Sequence, residues 1–68
     1  MEEEKTIRFV HGAWKGTLAS RDTSEEMVAN EAEARQKLAE HAAFYRSIGY
    51  SVWFATLFYP DGTETRLA

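Results

Sequence analysis

The sequence predicts an α+β fold, a four-stranded antiparallel sheet with one helix packed on one face, in the order strand, strand, helix, strand, strand. Three observations carry this reading. Lys5 to His11 alternates as a strand does, with Ile7, Phe9 and His11 on one side and Thr6, Arg8 and Val10 on the other. Ala34, Leu38, Ala42, Tyr45 and Ile48 recur at the spacing of one helical face. Ser51 to Tyr59 is dense in β-branched and aromatic residues and runs into Tyr59-Pro60-Asp61-Gly62-Thr63, the residue types of a tight turn. With 68 residues there is material for a single core, so residues 1–68 are read as one small domain.

The elements follow in order. After the first strand, Gly12 and Gly16 bracket Ala13-Trp14-Lys15, and a second strand from roughly Trp14 or Thr17 to Arg21 is expected to fold back from a turn near Gly12-Ala13. Asp22 to Glu26 reads as a polar break. Thr23 and Glu26 have capping-box spacing there, but Asn30 and Glu33 compete as a helix start, and Asn is a strong N-cap. The helix proper is predicted over Glu31 to Ile48, with His41 at the margin of its apolar stripe. Met27-Val28-Ala29 falls out of register with that stripe and reads as a separate helical turn or a lead-in. Gly49 supplies the helix stop, with Tyr50 folding back as its hydrophobic contact.

The last two strands carry the functional argument. A glycine-containing turn that sets Tyr59 opposite Thr63 also sets Phe58 opposite Glu64, Leu57 opposite Thr65, Thr56 opposite Arg66 and Ala55 opposite Leu67. Trp53, Ala55, Leu57, Tyr59 and Leu67 then share one sheet face. Val52, Phe54 and Phe58 share the other with Glu64 and Arg66. A one-helix sheet in a small monomer is expected to alternate apolar and polar, yet this strand is apolar on both sides. A helix about 27 Å long covers one face only. The Trp53 and Leu57 face is assigned to the helix, which leaves Val52, Phe54, Phe58, Arg66 and Arg8 as the candidate partner-binding surface. Alternatively, the N-terminal segment, residues 22–29 or the helix itself covers them and they bind nothing.

Composition excludes several functions. With no cysteine there is no disulfide, zinc thiolate or thiol nucleophile, which fits a reducing, cytoplasmic setting. The start Met1-Glu2-Glu3-Glu4 is acidic where a signal peptide is basic, and no apolar run approaches the roughly 20 residues of a membrane span. A net charge of −3 argues against nucleic-acid binding by bulk charge. His11 and His41 would need a carboxylate such as Glu40 or Asp22 to hold a metal, and a structural or solvated role is the favoured reading for both. No nucleophile elbow, phosphate loop or buried carboxylate pair is evident, so neither an enzyme nor a cofactor is expected.

Asp22, Glu25, Glu26, Glu31 and Glu33 form an acidic stretch without lysine or arginine. The favoured explanation is a helix N-terminus, where acidic groups complement the macrodipole. The functional alternative is an acidic surface that docks on a basic partner or mimics nucleic-acid phosphates. Sheet aromatics beside Arg8, Lys15 and Arg66 raise the opposite idea, a base-stacking platform, although no RNA-binding signature accompanies them.

Gly49-Tyr50-Ser51-Val52 running into Phe58-Tyr59-Pro60-Asp61-Gly62, after a helix rich in Ala and Glu, resembles small bacterial and bacteriophage proteins of the same five-element plan. The likeness covers about the C-terminal half and consists of a helix stop and a hairpin turn. It implies no activity and transfers no functional residue; a phage origin would favour a host-directed binding or inhibitory role. The expectation from sequence is therefore a non-catalytic protein-binding module, a homodimer or a small accessory or inhibitory protein, with a nucleic-acid-associated role as the alternative.

Overall fold

The computed structural model describes residues 4–16 and 21–68. Along them run β1 (Ile7–Trp14), β2 (Asp22–Val28), α1 (Glu31–Ser47), β3 (Ser51–Phe58) and β4 (Glu64–Arg66). The strands form one antiparallel sheet in the order β2-β1-β3-β4, with α1 on one face, so the α+β plan read from the sequence holds. Both β2 and β3 run opposite to β1, hence parallel to each other. Parallel strands need a crossover, and α1 supplies it by passing over the sheet between them.

Local chemistry explains the helix ends. Asn30 is the N-cap: its side chain accepts a hydrogen bond from the Glu33 amide at 2.8 Å, while the Glu33 carboxylate accepts one from the Ala29 amide at 3.1 Å. Two amides at the helix entrance thereby gain acceptors. Replacing Asn30 by Ala is expected to cost about 0.5–2 kcal/mol. Thermal unfolding followed by circular dichroism checks this, and an unchanged midpoint counts against the cap. At the other end Gly49 has φ +86°, and the Tyr50 amide donates to the Tyr45 carbonyl at 2.8 Å. Only the last position of the predicted stripe departs, because the helix closes at Ser47 and Ile48 is 49% exposed.

The C-terminal hairpin takes the predicted register: Thr56 opposite Arg66, Leu57 opposite Thr65, Phe58 opposite Glu64. Tyr59 donates its amide to the Thr63 carbonyl at 2.9 Å and Gly62 has φ +92°. Asp61 accepts from the Thr63 hydroxyl at 2.7 Å and from its amide at 3.0 Å; these bonds, the hydroxyl first, hold the Asp61 carboxyl below its usual range.

Two expectations are corrected. Residues 17–20 of the predicted second strand lie outside the described residues, and β2 occupies Asp22–Val28, where a polar break and a helical lead-in were expected. This strand is held by backbone pairing along β1 up to its last residue but one, from Ile7 opposite Val28 to Ala13 opposite Asp22. Its one fully buried residue is Val28, and its charges suit a sheet edge, where they discourage pairing with another chain.

The second correction concerns the sheet faces. Between Gly12 and Ala13 the β1–β3 register shifts: Gly12 faces Phe54, but Ala13 faces Val52. Trp53 is the extra residue of a β-bulge, and one extra residue reverses the alternation beyond it. Val52 therefore joins the helix side, opposite the fully buried Ala13. Trp53 turns to the open side, stacking on Trp14 at 5.4 Å and meeting Phe54 edge-on at 5.4 Å. The core beneath α1 is Ile7, Phe9, Val28, Ala34, Ala55 and Leu57, with Leu38, Tyr59 and Leu67 packed against it. At 14 Å the thinnest dimension of the molecule matches one sheet and one helix.

Candidate interaction face and the histidine–carboxylate cluster

The sheet face away from α1 carries a row of rings, and no element among the described residues packs over it. Its construction depends on Gly12. A Cβ at that position would lie 2.6 Å from Phe54 Cε1, so the Phe54 ring lies across the glycine of the neighbouring strand. Trp53 meets the edge of Phe54 and stacks on Trp14, with the two indoles inclined by 13°. Further along β3 the Arg8 guanidinium sits 4.8 Å above the Phe58 ring and 3.6 Å from the Glu25 carboxylate. Arg21 lies 5.7 Å from the Trp53 ring. Such cation–π contacts contribute about 0.5–1 kcal/mol each at exposed sites.

Of the residues assigned to the partner surface from sequence, Phe54, Phe58 and Arg8 come together here. Arg66, opposite Thr56, stands on the outer strand with its Nε donating to the Ala68 carbonyl at 3.2 Å. Val52 does not belong. It lines a groove of about 350 Å³ between the end of α1 and the start of β3, with Leu38, Ala42 and Tyr50. Sequence reasoning missed Trp14 and Trp53 because a bulge is invisible to strict alternation. The paired glycines around Ala13-Trp14 were the available signal, since an interior strand glycine often marks one.

The acidic stretch does not form one surface. Glu25 faces the open side with Arg8, whereas Glu26 faces α1 and pairs with His41. Asp22 is exposed at the start of β2. Glu31 and Glu33 belong to the first turn of α1, paired with Arg35 at 3.2 Å and Lys5 at 3.7 Å, where the helix dipole favours carboxylates.

Beneath α1 three ligating side chains converge. His11 of β1 is 3% exposed and lies between the rings of Phe9 at 4.8 Å and His41 at 4.6 Å. From β2, Glu26 brings its Oε1 to 3.5 Å from Nε2 of His41. That Oε1 is buried and has no hydrogen-bond donor. One ligand atom from each of His11, Glu26 and His41 lies within 4.8 Å of the others. Burial, and next the neighbouring His41, push the His11 imidazole below its ordinary value, outweighing the opposite pull of Glu26 and Asp22. Burial thus favours the uncharged imidazole of His11. The carboxylate beside the two histidines is thus neither Glu40 nor Asp22. Once β2 is known to be a strand, Glu26 follows from register: Ser24 is opposite His11, and Glu26 is its diagonal neighbour.

These features define a class: a small two-layer α+β domain with one sheet face covered by its helix and the other bearing aromatic rings and charges. The chain matches no protein-family model, no curated protein and no solved structure. Among the described residues no helix is long and apolar enough to cross a membrane.

Proposed function

We propose that this chain is a non-catalytic, intracellular protein-binding module that pairs with a second copy of itself through the sheet face opposite α1. The observation that carries the reading is the row Trp14, Trp53, Phe54 and Phe58 on a face over which no described element packs. Burying a large apolar side chain is worth about 1.5–3 kcal/mol, and micromolar affinity needs about 8 kcal/mol. The four rings are already half-buried within the chain, so each gains only part of that value, and it is the burial of two sets of four across a twofold axis that offsets the rigid-body freedom lost on pairing.

Charge and edges both favour a copy over other occupants. The face holds Arg8 and Glu25 on one side of the rings and Arg66 and Glu64 on the other, and a twofold axis can set each sign against its opposite. Edge-to-edge pairing is disfavoured, since β4 has three residues and β2 carries three carboxylates. A nucleic-acid reading draws on Arg8 over Phe58 and Arg21 over Trp53. Against it, these guanidiniums already occupy the ring faces a base would stack on, and Glu25 and Glu64 repel phosphate.

Sedimentation velocity across a concentration series tests the proposal. The wild-type chain is expected to move from 7.8 kDa toward twice that mass as concentration rises, and Phe58→Asp to remain monomeric with an unchanged far-ultraviolet spectrum. A wild-type monomer at every concentration overturns self-pairing. Low-salt binding to single-stranded oligonucleotides that Phe58→Asp abolishes would favour the nucleic-acid reading instead.

A further inference from the structure

We propose that His11, Glu26 and His41 form a binding site for a divalent ion of the zinc class, one that ties α1 to β1 and β2. The three residues come from three different elements, so an ion held by them bridges the helix to the sheet. Glu26 Oε1 is the independent pointer. Keeping this oxygen out of solvent with no hydrogen bond, and only His41 Nε2 standing off at 3.5 Å, is costly, and a cation between it and the imidazoles removes that cost.

The donor set is specific. Two imidazole nitrogens and one carboxylate oxygen suit Zn²⁺, Co²⁺, Ni²⁺ or Cu²⁺, whereas Mg²⁺ and Ca²⁺ prefer oxygen alone. Bonds of about 2.0–2.1 Å to a tetrahedral ion place donor atoms about 3.3–3.4 Å apart. The present atoms lie within 4.8 Å of one another, so the cluster closes around the ion by a movement of about 1.5 Å or less. His41 can make this movement because its side chain is 39% exposed on the helix surface, while His11 is pinned against Phe9. The imidazole rings, inclined by 24°, unstack so that one nitrogen of each meets the ion. Three protein ligands leave the fourth position to water. No thiolate is required, so a cysteine-free sequence is no obstacle.

A simpler arrangement competes: a protonated His41 paired with Glu26 alone, with His11 a spectator. The two differ in whether His11 responds to metal. The test takes the 68-residue chain, strips it with a chelator and adds Zn²⁺. One ion per chain is expected, with a rise of about 10–20 °C in the thermal midpoint at roughly a hundredfold excess over Kd. The imidazole signals of both His11 and His41 should shift in the NMR spectrum, and Co²⁺ should show the visible bands of a low-coordinate site. Mg²⁺ should do neither. His41→Ala, at a half-exposed helical position, and Glu26→Gln are each expected to keep the fold and weaken Zn²⁺ binding by about tenfold or more. Phe58→Asp, on the other sheet face, should keep the full response, which separates this site from the self-pairing reading. An absent midpoint shift, an equal shift in both ligand variants, or an unmoved His11 signal overturns the site.

Discussion

Phe9→Ala is expected to leave the chain largely unfolded at room temperature. Phe9 is fully buried on β1, opposite Leu57, and two of the six core residues, Ala34 and Ala55, are no larger than alanine. Truncating a buried phenylalanine costs about 3–5 kcal/mol, as transfer energy lost plus a cavity the surroundings fill only in part. A chain this short holds about 3–10 kcal/mol in total, at about 0.05–0.15 kcal/mol per residue. The substitution therefore removes a large fraction of the stability, or all of it. Collapse does not rescue the site, because β1 is paired on both sides and cannot shift toward α1 without breaking either ladder. Urea titration followed by far-ultraviolet circular dichroism decides the matter, and a variant that keeps the wild-type midpoint would contradict this account of the core.

Gly12→Val is expected to separate folding from association. The Cβ alone would stand 2.6 Å from Phe54 Cε1 and 3.2 Å from Thr23 Cγ2, and two further methyl groups deepen the clash. Gly12 has no positive φ, so the strain arises from crowding and not from backbone conformation. Phe54 must swing away from β1 and lose its edge contact with Trp53, and the row of rings loses its middle. Overpacking of this kind costs about 1–3 kcal/mol, which leaves a weakened fold standing. Self-association should fall by tenfold or more, because each 1.4 kcal/mol lost from the interface is about a factor of ten in affinity. Sedimentation under conditions where circular dichroism shows a folded chain reads the two effects separately. Association at wild-type strength would show that Phe54 takes no part in the contact.

How much of the fold is legible in the sequence differs along the chain, and the reason is the range of the forces involved. Asn30, Glu33 and Gly49 set the helix ends through contacts within a few residues, so those ends were legible. The hairpin register was legible too, because Pro60, Asp61 and Gly62 constrain the turn and the turn constrains the pairing. β2 was not. Of its residues Asp22 to Glu26 only Thr23 favours a strand, and only Val28 is buried; the strand exists because β1 offers a long, continuous ladder of backbone partners. The same holds for Glu26 in the candidate site. Its nearness to His11 and His41 depends on β2 pairing and on the crossover of α1, two contacts distant in sequence.

By itself, then, the sequence determined the α+β class, the element order, the capped helix, the C-terminal turn and the presence of more apolar rings than one helix can cover. Tertiary structure alone decided which rings those are. A single extra residue at Trp53, accommodated against Gly12 and Ala13, sent Val52 under the helix and placed Trp53 beside Trp14 and Phe54 on the open face. Alternation is a local rule that any chain can be read by, but the point where it slips is fixed by how two strands distant in sequence fit side by side. In this protein that point decides the composition of the surface offered to a partner.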